Sequence, residues 1–177
     1  MTESRTPSCF DLLDRHVVAG HADREALRDG ARTWSYARLL EEVAAFGGVL
    51  RHCGVVAGDR VGVALPDSGE AVVAVLACGR LGAEHDLGSA TAKVVVTASS
   101  EPGVLTAAEA EVVLVKQVPG AEVELVAEHH HDWEVVMRAG RTDPVAWLEG
   151  TVLTPYDART AALVAPLLDG GTVDVGA

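Results

Sequence analysis

The sequence predicts an α/β protein, a single-domain layered sheet with flanking helices. Short apolar runs of strand length, "RVGVAL", "KVVVT" and "EVVLV", alternate with longer stretches whose apolar residues recur at helical spacing. Glycine, proline and small capping residues stand at the joins between these stretches. A hydrophobic content of 49% over 177 residues is ample for one core and argues against disorder.

The elements follow in order. "CFDLLDRHVVAG" places Phe10, Leu13 and Val17 on one face and stops at Gly20, a short amphipathic helix. "EALRDGARTWSY" reads as two short strands joined at Asp29-Gly30, a strong hairpin dipeptide. Ser35 caps the next helix, whose apolar face is Tyr36, Leu39, Leu40, Val43, Phe46 and Leu50; Glu41, Glu42 and Arg51 lie largely off it, and Gly54 ends it. Gly58-Asp59 then turns into "RVGVAL", a strand expected to be buried on both faces. Pro66, Asp67 and Ser68 break that strand and cap the helix "GEAVVAVLACGRLG".

Beyond Gly82 the polar stretch "GAEHDLGSAT" is the nearest thing to a boundary, with no repeat or linker dividing the chain. "KVVVT", "EVVLV" and "VELVA" follow as strands, with a helix around "HDWEVVMRAG". The last unit, "TPYDARTAALVAPLLDGGTVDV", has Thr154 as cap, Pro155 at the first helical position, Gly170-Gly171 at the exit and a closing strand.

Composition excludes several function classes. A net charge of −12 without any basic block repels a phosphate backbone, so no nucleic acid is expected. The longest apolar run, "AVVAVLACG", is too short to span a bilayer, and "MTESRTPSCFDLL" lacks a basic region followed by an apolar stretch, so the expected setting is cytoplasmic with no membrane partner. Cys9, Cys53 and Cys78 have no paired spacing and read as free thiols.

Residues 10–83 resemble the N-terminal part of the acyl-adenylate-forming superfamily, which includes acyl-CoA synthetases, adenylation domains and luciferases, with an aryl-CoA ligase-like flavour. The resemblance is carried by "LLDRHV", by "GARTWSYARLLEEVAAFGGVLRHCGVVAGDRVGVALPDS" and by "EAVVAVLACGRLGA". It implies a single AMP-binding-enzyme-like domain over residues 1–177, without a C-terminal lid domain, shortened internally at two places. After Ala83 such enzymes continue through a strand, a proline-rich loop and a helix before a strand like "AKVVVT"; here "EHDLGSAT" bridges the gap. "DWEVVMRAGRTDPVAWL" resembles the segment that leads into a phosphate loop of the form T-S-G-T-T-G-x-P-K-G, yet "EGTVLTPYDARTA" follows instead.

That loss bears directly on chemistry. Adenylation needs glycine-rich amides and a cation around the triphosphate as charge moves onto pyrophosphate. The two lysines, Lys93 and Lys116, border or sit in predicted strands without a glycine nest, and "TASSEPG" (97–103) has one glycine and no lysine. No cofactor is expected, and the chain should not activate acids with ATP.

Three positive readings remain open, of which a piece of a split ligase fares worst, because a downstream fragment could supply a lid but would not reinsert a loop missing from the middle. One is an accessory, binding or scaffold protein of an acyl-activating or natural-product pathway, assembling as a homodimer or as a heteromer with a biosynthetic enzyme. The second is a small cyclase- or isomerase-type enzyme that uses the emptied crevice on a small acyl or aromatic ligand. For that second reading His85 and Asp86 are the leading catalytic candidates, since an imidazole beside a carboxylate does acid–base work near neutral pH. Tyr156 and Asp157, at the start of the last helix, are further candidates. In "EHHHDWE", consecutive side chains diverge too far for three imidazoles to converge, so only His131 and Asp132 are kept as metal-ligand candidates and no native metal is expected.

Overall fold

The computed structural model describes residues 6–175; the N-terminal targeting question includes residues 1–5, outside the described part. A π-helical turn, Phe10–Asp14, runs into α1 (Arg15–Val18) and buries Leu12 and Leu13. The hairpin forms as expected: β1 (Glu25–Asp29) pairs antiparallel with β2 (Arg32–Ser35), and Gly30 takes the left-handed φ of 56° that the tight loop requires. Ser35 then caps α2 (Tyr36–His52), its hydroxyl accepting from the Arg38 amide at 3.2 Å.

β3 (Arg60–Ala64) and α3 (Gly69–Leu81) follow, with Ser68 accepting from the Ala71 amide as cap. Next come β4 (Glu84–Leu87), β5 (Val94–Ala98), α4 (Pro102–Ala107), β6 (Val112–Lys116), β7 (His130–Asp132) and α5 (Trp133–Gly140). The chain ends through α6 (Ala158–Val164), a 3-10 turn (Ala165–Asp169) and β8 (Val173–Val175).

β4-β3-β5-β6-β7 is the spatial order of a five-stranded parallel sheet, while β2-β1-β8 form a second, three-stranded one. Val61, Val63, Val94, Val96 and Leu114 point from the larger sheet into the core shared with α2 and α3. α5 lies against α2 where two glycines remove the side chains between them: the Asp143 carbonyl occupies the space a β-carbon at Gly48 would take, and the Ala45 carbonyl that of Gly140. Tyr36 donates its hydroxyl to the Gly171 carbonyl at 2.7 Å, and His16 Nε2 lies 2.8 Å from the Leu167 carbonyl, tethering the last unit to the N-terminal helices.

Three local readings are corrected. The polar stretch at 82–91 contains a strand, β4, because its backbone pairs with β3 on one side and, through Glu84 and Thr154, with the chain near 154 on the other; partners far away in sequence override weak local propensity. "VELVA" forms no strand and joins no ladder, and the strand beside β6 is His130–Asp132 instead. Asp157, not Thr154, caps the last helix, its side chain accepting from the Thr160 amide, while Thr154 is still held in a β-bridge to Glu84 and Pro155 stands outside the helix.

β4 returns to β5 through residues 88–93 without a helix, crossing β3 on the way. The Ser89 carbonyl passes directly over Gly62 of β3. Thr91 bridges to Glu109, which fastens the crossover to the chain after α4.

Candidate functional site

His85 stands on the edge strand β4 and is fully buried. Its amide donates to the Thr154 carbonyl at 3.0 Å, and its ring Nε2 shares a 2.8 Å hydrogen bond with the Thr160 hydroxyl on α6. Nδ1 is buried without a partner. Burial pushes the imidazole down to about 4, against the opposing pull of Asp157 and Asp86. The ring is therefore neutral at physiological pH.

Asp157 caps α6 by accepting from the Thr160 amide at 2.8 Å, and that bond holds its carboxyl below the usual range. Asp86 follows His85 on the strand and so faces the other way, while Tyr156 packs half-buried against the core. His85 and Asp157 thus come together where β4 meets α6, with the His85–Thr160 hydrogen bond as a latch between the two elements. An adjoining cavity of about 620 Å3, lined by Leu87, Arg159, Asp67 and Asp174 among others, does not include His85. A neutral, enclosed imidazole that already holds a hydroxyl has no route to a substrate proton in this arrangement.

His131 and Asp132 end β7. His131 is exposed, and Asp132 accepts from the Val135 amide at 3.1 Å as the cap of α5. Among the described residues, no group of three or more His, Cys, Asp or Glu side chains is arranged to hold a metal ion. Burial raises the thiols of Cys9 and Cys78 to about 12 and pushes Cys53 up as well, which suppresses thiolate chemistry.

Several polar groups of the loop after β5 are engaged. The Ser99 amide donates to the Lys116 carbonyl, the Ser99 hydroxyl accepts from the Val118 amide at 2.8 Å, and the Glu101 amide donates to Ala98. Both lysines are tied down: Lys93 to Asp59 at 2.7 Å and to the Gly54 carbonyl, Lys116 to Glu134 at 2.5 Å and Glu70 at 3.3 Å.

Sequence reasoning missed the charged side chains at the carboxyl end of the sheet. Glu42, expected off the buried face of α2, is buried and held by Arg38 and Arg141. Glu70, in the first turn of α3, is likewise buried between Arg32 and Lys116. The available signals were the Arg38–Glu42 spacing of four residues and the acidic first turn of α3. A separate apolar groove of about 690 Å3 runs between α1, α2 and the 144–146 segment, with Val17, Leu40, Ala44, Pro144 and Val145 on its walls.

The AMP-binding enzyme family matches residues 14–164. This chain belongs to the AMP-binding enzyme family. Within that family it is 36% identical over 166 residues to an acetyl-coenzyme A synthetase of Mycobacterium bovis, covering 80% of this chain and 24% of the relative. An acetyl-coenzyme A synthetase of Streptomyces avermitilis is 36% identical over 165 residues, covering 80% and 23%. A crystal structure of an acyl-CoA synthetase from Brucella canis superposes with a TM-score of 0.73 at 20% identity, over 98% of this chain and 44% of that one. The chain spans about a quarter of the length of these two acetyl-coenzyme A synthetases. Among the described residues, no helix is long and apolar enough to cross a membrane.

Proposed function

We propose that this acyl-CoA-synthetase-type domain carries a degenerate adenylation site and acts as a cytoplasmic accessory or scaffold protein beside an acyl-activating or natural-product enzyme. The observation that carries the reading is the engagement of both lysines in ion pairs, Lys93 with Asp59 and Lys116 with Glu134, together with the Ser99 and Glu101 amides after β5, which already have partners. Groups already engaged in this way do not stabilise charge developing on pyrophosphate.

The apolar groove supports the binding half of the proposal, since its walls offer apolar surface to a partner helix or to a second copy of the chain. The enclosure of His85 away from the adjoining cavity weighs against a cyclase or isomerase. The binding half is tested by light scattering of the chain alone and with a complete acyl-activating enzyme. A stable homodimer or heteromer that Leu40→Glu dissolves is expected, and a monomer under both conditions overturns it.

A further inference from the structure

We propose that the cavity between α2, α5 and the β6–β7 edge of the larger sheet binds a small uncharged aromatic molecule carrying one hydroxyl, a phenol in its simplest form. The space holds about 280 Å3. Its floor is Val112 and Leu114 of β6, with His131 of β7 level with Leu114 in the strand register. Val49 and Cys53 form the α2 wall and Val136 the α5 wall. At Gly48, Ala139 and Gly140 the lining carries little or no side chain, so the two helices meet over the sheet without filling the space. β7 is the outermost strand, and His52 and His131 are exposed, which places the mouth at that edge.

The lining selects an uncharged ligand. No Lys or Arg is among the described residues around the cavity, so a carboxylate or phosphate would leave water for an apolar space without a countercharge. The net charge of −12 adds to that penalty. An apolar cavity of roughly 150 Å3 takes up benzene rather than water, so the larger space here holds one substituted ring. At the mouth His52 and His131 supply a polar edge. Neither imidazole has a hydrogen bond or an ion pair with another described side chain, and a ring nitrogen can accept from or donate to a hydroxyl. The loop after β5 does not line this cavity, so the site is independent of whether the chain adenylates.

The whole chain is titrated with p-cresol by calorimetry, with toluene and p-toluate as comparisons. Saturable binding of p-cresol with a dissociation constant near or below about 1 mM is expected, several-fold tighter than that of either comparison. Bound p-cresol should also slow the reaction of N-ethylmaleimide with Cys53 several-fold, since Cys53 is half-buried in the cavity wall while Cys9 and Cys78 are buried. Ala139→Leu, at an exposed position of α5, should abolish binding by filling the cavity while the circular dichroism stays unchanged. His52→Ala combined with His131→Ala should bring p-cresol down to the affinity of toluene. The Cys53 measurement needs no variant, so it decides the matter even where Ala139→Leu fails to fold. Absence of saturation, equal or tighter binding of toluene or p-toluate, an unprotected Cys53, or undiminished binding by Ala139→Leu overturns the proposal.

Discussion

The carbonyl oxygen of Ser89 rests on the α-carbon of Gly62, in the space a side chain would fill. The helix-free crossover from β4 to β5 depends on that space, because any β-carbon at 62 pushes the Ser89 backbone off the sheet. Gly62→Ala should destabilise the fold by roughly 1–3 kcal/mol through overpacking, read as a lower urea midpoint at unchanged slope. Gly103→Ala, where a β-carbon meets nothing within 4 Å, is the control and should be neutral or slightly stabilising.

Arg80 is buried in α3 with its guanidinium forked onto Asp14 at 2.8 and 2.9 Å and its Nε donating to the Val145 carbonyl at 2.7 Å. The pair ties the N-terminal turn and the 141–153 segment to the core. Asp14→Asn leaves the buried charge uncompensated and should cost about 3 kcal/mol. Replacing both partners, as Arg80→Met with Asp14→Leu, should recover much of that loss in chemical denaturation.

His85 makes stability depend on pH below neutrality. Its ring resists protonation in the native state down to about 4, whereas the unfolded chain takes up the proton near 6.5. The native state therefore binds fewer protons, and its stability is complete above about 6.5 and declines as the pH falls toward 4. The loss at pH 5 should be about 2 kcal/mol from this group. His85→Gln should flatten the profile between pH 7 and 5. Glu70, which burial pushes up but the Arg32 and Lys116 partners hold below the usual carboxylate range, adds its loss only as the pH falls through that lower value.

Much of the fold was legible because local chemistry determined it. Asp29-Gly30 set the hairpin, Ser35 and Ser68 capped their helices, and the valine runs at 61–63, 94–96 and 112–115 could only be buried strands. β4 was not legible, since a polar four-residue edge strand exists through its pairing with β3 and with the chain near 154. "VELVA" kept the alternating exposure of a strand but found no neighbour, leaving Val126 82% exposed. At the candidate site, the sequence singled out His85 with Asp86 and, separately, Tyr156 with Asp157, and the structure sets His85 against the helix that Asp157 caps. The sequence could not show that Thr160 would enclose the imidazole, or that Arg38 and Arg141 would draw Glu42 inward.

Lys93 and Lys116 are held in ion pairs, and the Ser99 and Glu101 amides after β5 already have partners, the features on which the proposed loss of adenylation rests. ATP–pyrophosphate exchange by the purified chain tests it most directly, with acetate, longer aliphatic acids and aromatic acids supplied in turn with magnesium and labelled pyrophosphate. Exchange at the level of the enzyme-free control is expected for every acid. Exchange that depends on an added acid and saturates with its concentration would contradict it.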